Sequence, residues 1–206
     1  MATSTHRELF GPERLLAFSD GVFAVAITLL VIDLRLPPLE GRDEVTLDVL
    51  LTMGPKLLIF AFTFIIIGMS WLGHHRKFSY IRQVDGGLLW LNLFYLLALC
   101  LVPFASGSLS EHGNRFTFIL YTAVMMLGSL LSAALSACGL REPFLAERSL
   151  PPGARQDMIL SPLFTALVFL ISAGAALGGL MNIAHWVLLM IVPVLAFFGS
   201  RNRKAA

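Results

Sequence analysis

The chain has 206 residues, of which 57% are hydrophobic and 14% are Asp, Glu, Lys or Arg, with a mean hydropathy of +0.80. A soluble domain carries roughly 25% charged residues, so this composition reads as an integral membrane protein. The net charge of +2 is too small to suggest nucleic acid as a partner. Cys100 and Cys138 both sit in apolar stretches, as small hydrophobes rather than a disulfide or metal pair.

Met1–Glu13 is polar and contains Pro12, so no cleavable leader is expected. A helical span needs about 20 mostly apolar residues. The first is predicted over 15–34, closed by Arg35 and then Pro37-Pro38. The second, 57–73, follows Gly54-Pro55-Lys56 and closes at His74-His75-Arg76-Lys77. The third and fourth, 86–107 and 116–139, hold no Asp, Glu, Lys or Arg. The uncharged run 158–200 is too long for one helix, and the polar Asn182-Ile183-Ala184-His185 predicts a turn within it. That gives a fifth helix over 161–180 and a sixth over 186–200. The expected fold class is all-α, a single polytopic domain over 1–206 with six transmembrane helices.

With six spans, both termini and the connections 74–85 and 140–157 share one side. That side carries Arg7, Arg14, Arg76, Lys77, Arg82, Arg141, Arg148, Arg155, Arg201, Arg203 and Lys204, eleven cations against four (Arg35, Arg42, Lys56, Arg115) opposite. The excess of Lys and Arg marks the cytoplasmic side, so both termini are expected there. The other side's first loop is acidic, with Glu40, Asp43, Glu44 and Asp48; together with Asp33 it is either an ordinary solvated loop or a concentrator of cations. The two halves share no motif, so an inverted repeat has no visible support. Gly174/Gly178 and Ser132/Ser136 have the small-residue spacing that lets helices approach closely.

On the first helix Gly21, Val25, Thr28, Leu29, Ile32 and Leu36 fall on one stripe, apolar except for one hydroxyl. It is either a packing face or, in a symmetric assembly, a conduit lining: hydrophobic rings gate by dewetting, and threonine oxygens replace part of an ion's hydration shell. Arg14, Ser19 and Asp20 stand at the start of the same helix. An ionisable group at membrane depth costs at least ~2.5–3.5 kcal/mol and needs a partner. Arg14 and Asp20 are about 240° apart around the helix, so neither serves the other. Trp71, His74 and His75 at the end of the second helix and Asn92 in the third are the partners at that depth. Such a network is a staple between helices, a device fixing the tilt of the first helix, or a proton sensor. Adjacent histidines on a helix point about 100° apart, unlike the i, i+4 pair of a zinc helix. Phosphate loops, nucleophile elbows and a Thr-Val-Gly-Tyr-Gly filter are all missing, so neither an enzyme nor a conventional pore-loop channel is expected.

Arg14-x-x-x-Phe18-Ser19-Asp20 ahead of an apolar helix resembles the signature of the transmembrane protein 175 family of potassium channels. Trp71-Leu-Gly-His74-His75-Arg76, Asn92-Leu93 and Pro103-Phe104 also look like bacterial members of that family. The resemblance covers the first three helices; the last three match in hydropathy. It implies a homotetramer, since the chain has one six-helix unit, with a pore lined by the first helix of each subunit. It further implies Val25 at the narrow hydrophobic position, Thr28 as a threonine ring and Ile32 as a further apolar layer, Leu29 sharing their stripe. Val25 departs from the bulkier Ile or Leu usual there, which implies a wider, more easily wetted constriction. Arg14, Phe18, Ser19, Asp20, Trp71, His74 and Asn92 are implied to hold the pore helix. The expected function is passive, weakly to moderately selective potassium conduction through a fourfold axis in a bacterial plasma membrane. Potassium ions, lipid and further copies of the chain are the expected partners; no cofactor or bound metal is expected. The competing reading is a proton-coupled transporter with Asp20 and His74/His75 as a relay; a third is a non-conducting scaffold.

Overall fold

Every regular element in the computed structural model, which describes residues 11–36, 46–141, 144 and 150–204, is helical. Helix α1 (Glu13–Leu29) tightens into a 3₁₀ turn at Leu30–Asp33, and a short α2 (Leu47–Thr52) precedes α3 (Gly54–Phe78). Then come α4 (Gly86–His112), α5 (Arg115–Gly139), α6 (Ala154–Leu177), α7 (Met181–Leu189) and α8 (Ile191–Lys204). Five are long and apolar enough to cross a membrane, namely α1 with its 3₁₀ turn, α3, α4, α5 and α6, and Met181–Leu195 forms a shorter apolar helix. The protein is an all-α polytopic membrane protein. Arg7, Pro37, Pro38, Glu40, Arg42, Asp43, Glu44 and Arg148, used above, lie outside the described residues.

Capping chemistry explains where the middle helices begin and end. The Asp85 carboxylate accepts the Leu88 N–H at 2.8 Å and starts α4. The helix then runs to His112, past the predicted end at 107, because its polar last turn stays helical until Gly113 takes a left-handed φ of 56°. Asn114 and Thr117 form a reciprocal capping box for α5, with bonds of 3.0 and 3.2 Å. A one-turn connection between α4 and α5 results.

Two predicted boundaries move for identifiable reasons. Helix α3 does not close at His74 but continues to Phe78, so His74 and Lys77, placed at a helix end and in a loop by the sequence, are buried helical residues. Basic side chains suit a helix C-terminus and do not stop the helix. The turn predicted at Asn182–His185 is instead at Gly178–Leu180, where Gly179 has a φ of 80°. Asn182 and His185 lie in α7, which the Ser172 hydroxyl docks onto α6 by donating to the Ala184 carbonyl at 2.7 Å. The last span is also divided, α7 ending at Leu189, whose carbonyl would face the missing N–H of Pro193.

Helix α4 is central: it packs against α1, α3 and α5, while α5 packs on α6 and α6 carries α7 and α8. One apolar core runs through the chain, including Phe23, Ile67, Tyr95, Leu135 and Phe169. Nearer the α4–α5 connection, Thr63 Oγ1 lies 3.0 Å from Tyr121 Oη and 3.3 Å from Ser106 Oγ, tying α3, α4 and α5. Near the ends of α3 and α5, Arg82 donates its backbone N–H to the Phe144 carbonyl at 2.8 Å. A Cβ on Gly139 would meet Ile81 Cδ1 at 2.7 Å, so a larger residue there would require the end of the Ile81 side chain to shift. The Gly174/Gly178 pair makes no such approach: both residues are exposed.

Candidate functional site

Ser19 is fully buried on the inner side of α1, and its hydroxyl donates to the Leu15 carbonyl one turn back at 2.8 Å. That leaves its oxygen free to accept, and Asn92 Nδ2 of α4 donates to it at 3.0 Å. The Asn92 amide oxygen is therefore the acceptor at its other end, and His74 Nε2 of α3 donates to it at 2.9 Å. One side-chain line thus joins α1, α4 and α3. A second contact runs beside it: Trp71 Nε1 donates to Asp20 Oδ1 at 2.8 Å.

The His74 ring is held by aromatic neighbours that the sequence reading did not single out. Tyr95 stacks on it, 5.7 Å away with planes 9° apart. Phe78 lies 4.5 Å away and Phe23 5.5 Å away. The signal was present: Phe23, Phe78 and Tyr95 follow Ser19, His74 and Asn92 by three or four residues, which places them on the same helical faces. His74 Nδ1 is buried with no hydrogen-bond partner among the described residues.

Not every expected member joins. Arg14 and Phe18 stand exposed, turned away from the network. His75 is also exposed and packs its ring 5.9 Å from that of Trp71. Among the described residues neither His74 nor His75 hydrogen-bonds Asp20, so the three do not form a direct relay. Lys77, which the sequence places among the cations of a connection, is buried instead: it is 2% exposed, and its ammonium donates to the Ser132 carbonyl at 2.7 Å and hydroxyl at 3.2 Å.

Among the described residues, the opposite face of α1 is left open. Gly21, Val25, Thr28, Leu29, Ile32 and Leu36 are all exposed, Val25 by 57% and Ile32 by 56%. Exposed apolar faces are ordinary in a membrane protein, so size is what distinguishes this one. Elsewhere Phe94, Leu97, Leu101 and Phe104 of α4 and Leu163, Phe164, Leu167 and Leu170 of α6 present large side chains. The middle of the α1 face is small, with Ala17, Gly21, Ala24, Val25 and Thr28, as suits a close helix–helix approach. A groove of about 490 Å³ runs beside it, lined by Phe18, Gly21, Val25 and Leu29 with Cys100 of α4. The Thr28 hydroxyl donates back to the Ala24 and Val25 carbonyls at 3.0 and 2.9 Å, which leaves its lone pairs directed away from the helix.

Residues 14–103, which include both the network and the exposed face, match the model of the family described as endosomal/lysosomal potassium channel TMEM175. That stretch, under half of the chain, is what is similar to the TMEM175 family. A potassium channel of Streptomyces collinus is 35% identical over 127 residues, 59% of this chain and 61% of that protein. A potassium channel of Chryseobacterium is 42% identical over 93 residues, 45% of this chain and 46% of that protein. The chain thus spans about half to three-fifths of the length of these curated relatives. The whole fold is similar to the crystal structure of a lysosomal potassium-selective channel TMEM175 homolog from Chamaesiphon minutus, with a TM-score of 0.74. That match covers 92% of this chain and 96% of the other at 24% identity, and it shows the TMEM175 fold. The TMEM175 description is that of a channel, not an enzyme.

Proposed function

We propose that the protein conducts potassium passively through a pore lined by α1 around a fourfold axis of identical chains, in a bacterial plasma membrane with both termini cytoplasmic. The observation that carries this reading is the division of α1 into two faces. One is fixed by Ser19–Asn92–His74 and Asp20–Trp71, while the other, with Val25, Thr28 and Ile32, is left open. A helix clamped from behind keeps a constant tilt, which holds rings of Val25 and Ile32 as hydrophobic constrictions and Thr28 as a ring of oxygens between them. The adjoining groove is where a neighbouring copy of α1 would pack. Relatives bearing the name potassium channel, matched over the same kind of length, support the choice of ion. The excess of Lys and Arg on one side supports the orientation.

The test is potassium flux into liposomes carrying the purified protein, compared with empty liposomes and with Thr28→Ala. Flux driven by a potassium gradient alone, with an altered preference between potassium and sodium in the variant, is expected. Flux that appears only with an imposed pH gradient would contradict the reading in favour of a proton-coupled transporter. Absence of flux from a correctly oriented tetramer would favour a scaffold.

A further inference from the structure

On the side of the bundle away from α1 lies a second cavity, of about 480 Å³, none of whose lining residues belongs to α1. It exists because α3 packs on α4 while α6 packs on α5 and α8, so α3 and α6 face each other across a cleft. Its lining changes character along its length. One end has Arg76, Lys77, Ser132 and Asp157; the other has Ile66, Val102 and Val124. From Ile66 to Lys77 along α3 is about 16 Å, which is about the depth of one leaflet of a ~30 Å hydrocarbon core.

Lys77 gives the cleft its chemistry. It is 2% exposed, and both its recorded bonds go to neutral oxygens of Ser132. An ammonium has three donors, so one remains. No ion pair to Lys77 is present among the described residues. A buried cation within a membrane calls for an anion. The cleft's three charged groups, Arg76, Lys77 and Asp157, sum to one excess positive charge, and Asp157 already has an interaction of its own.

We propose that this cleft binds one anionic phospholipid per chain, its singly charged phosphate on Arg76 and Lys77 and an acyl chain along α3 toward Ile66 and Val124. The polar-to-apolar gradient runs in the direction a lipid of the leaflet on that side would take. Leu72, exposed at the cleft's edge, faces the bilayer from which such a lipid would enter.

Native mass spectrometry of the delipidated protein, titrated with phosphatidylglycerol and separately with phosphatidylcholine, tests this without reference to conduction. One retained phosphatidylglycerol per chain is expected, with about tenfold weaker retention in Arg76→Gln and in Lys77→Gln, as suits loss of a charge-assisted hydrogen bond. Ser129→Phe, which fills the cleft without altering charge, should abolish retention of either lipid. Should Lys77→Gln not fold, Arg76→Gln and Ser129→Phe carry the test. Equal retention of the two lipids by the unmodified protein, or undiminished phosphatidylglycerol on Ser129→Phe, would overturn the proposal. So would displacement of the lipid by glycerol phosphate at equal concentration, which would show a site for the phosphate alone.

Discussion

Asn92 and Thr28 are both polar residues in spans, yet removing them should have opposite consequences. Asn92 is fully buried between Ser19 and His74. Asn92→Leu strands the His74 N–H, and an unsatisfied buried group costs about 1–3 kcal/mol. Thermal unfolding in detergent should show that loss directly. Trp71→Phe should cost less, because Asp20 is only half-buried and keeps access to other partners. Thr28 is different: it is exposed and bonded only to its own helix. Thr28→Ala should therefore leave the melting temperature nearly unchanged while altering ion preference. A large loss of stability in Thr28→Ala would show that the residue packs rather than lines a conduit.

At the scale of the element, α1 is a helix whose two faces do different work. Enlarging its open face should act on conduction and not on folding of the single chain. Val25→Leu adds a methylene to each subunit at the proposed constriction and should lower potassium flux; unchanged or raised flux would place the constriction elsewhere. The α6–α7 turn gives a purely structural contrast. Gly179 has a φ of 80°, so Gly179→Ala should cost about 1–2 kcal/mol, the left-handed penalty of a residue with a Cβ. Its unfolding midpoint should fall while flux per folded channel stays constant. These elements also show what was legible beforehand. Long apolar runs disclosed α1, α3, α4 and α5, because a span must satisfy its backbone internally and hydropathy follows from that. The α6–α7 turn was misplaced because Asn182 and His185 read as polar breaks. His185 instead satisfies its ring on the Met181 carbonyl at 2.7 Å, within the helix. Lys77 was read as a loop cation because a sequence does not show that Ser132, on another helix, offers it two oxygens.

At the scale of the whole molecule, the chain is a bundle with one half fixed on α1 and the other, α5 to α8, packed outward from it. Ser19, Asp20, Trp71, His74 and Asn92 meet at the junction of α1, α3 and α4. Arg14 and Phe18, which the resemblance groups with them, are exposed. A single chain presents an open α1 face, and the account requires other copies to complete it. Light scattering of the purified protein should give four times 22.6 kDa after subtraction of detergent; a monomer that still conducts would refute the shared axis.

The central claim, that the open face of α1 meets water and ions rather than lipid, is tested most directly by cysteine accessibility. Cys100 and Cys138 are both exposed, so they are first replaced by alanine. Thr28→Cys in that background is then treated with a membrane-impermeant, positively charged thiol reagent during potassium flux, beside Leu167→Cys on the outer face of α6. The account predicts rapid modification and block at position 28 and none at 167. Protection of position 28 from that reagent, with flux continuing, would contradict it.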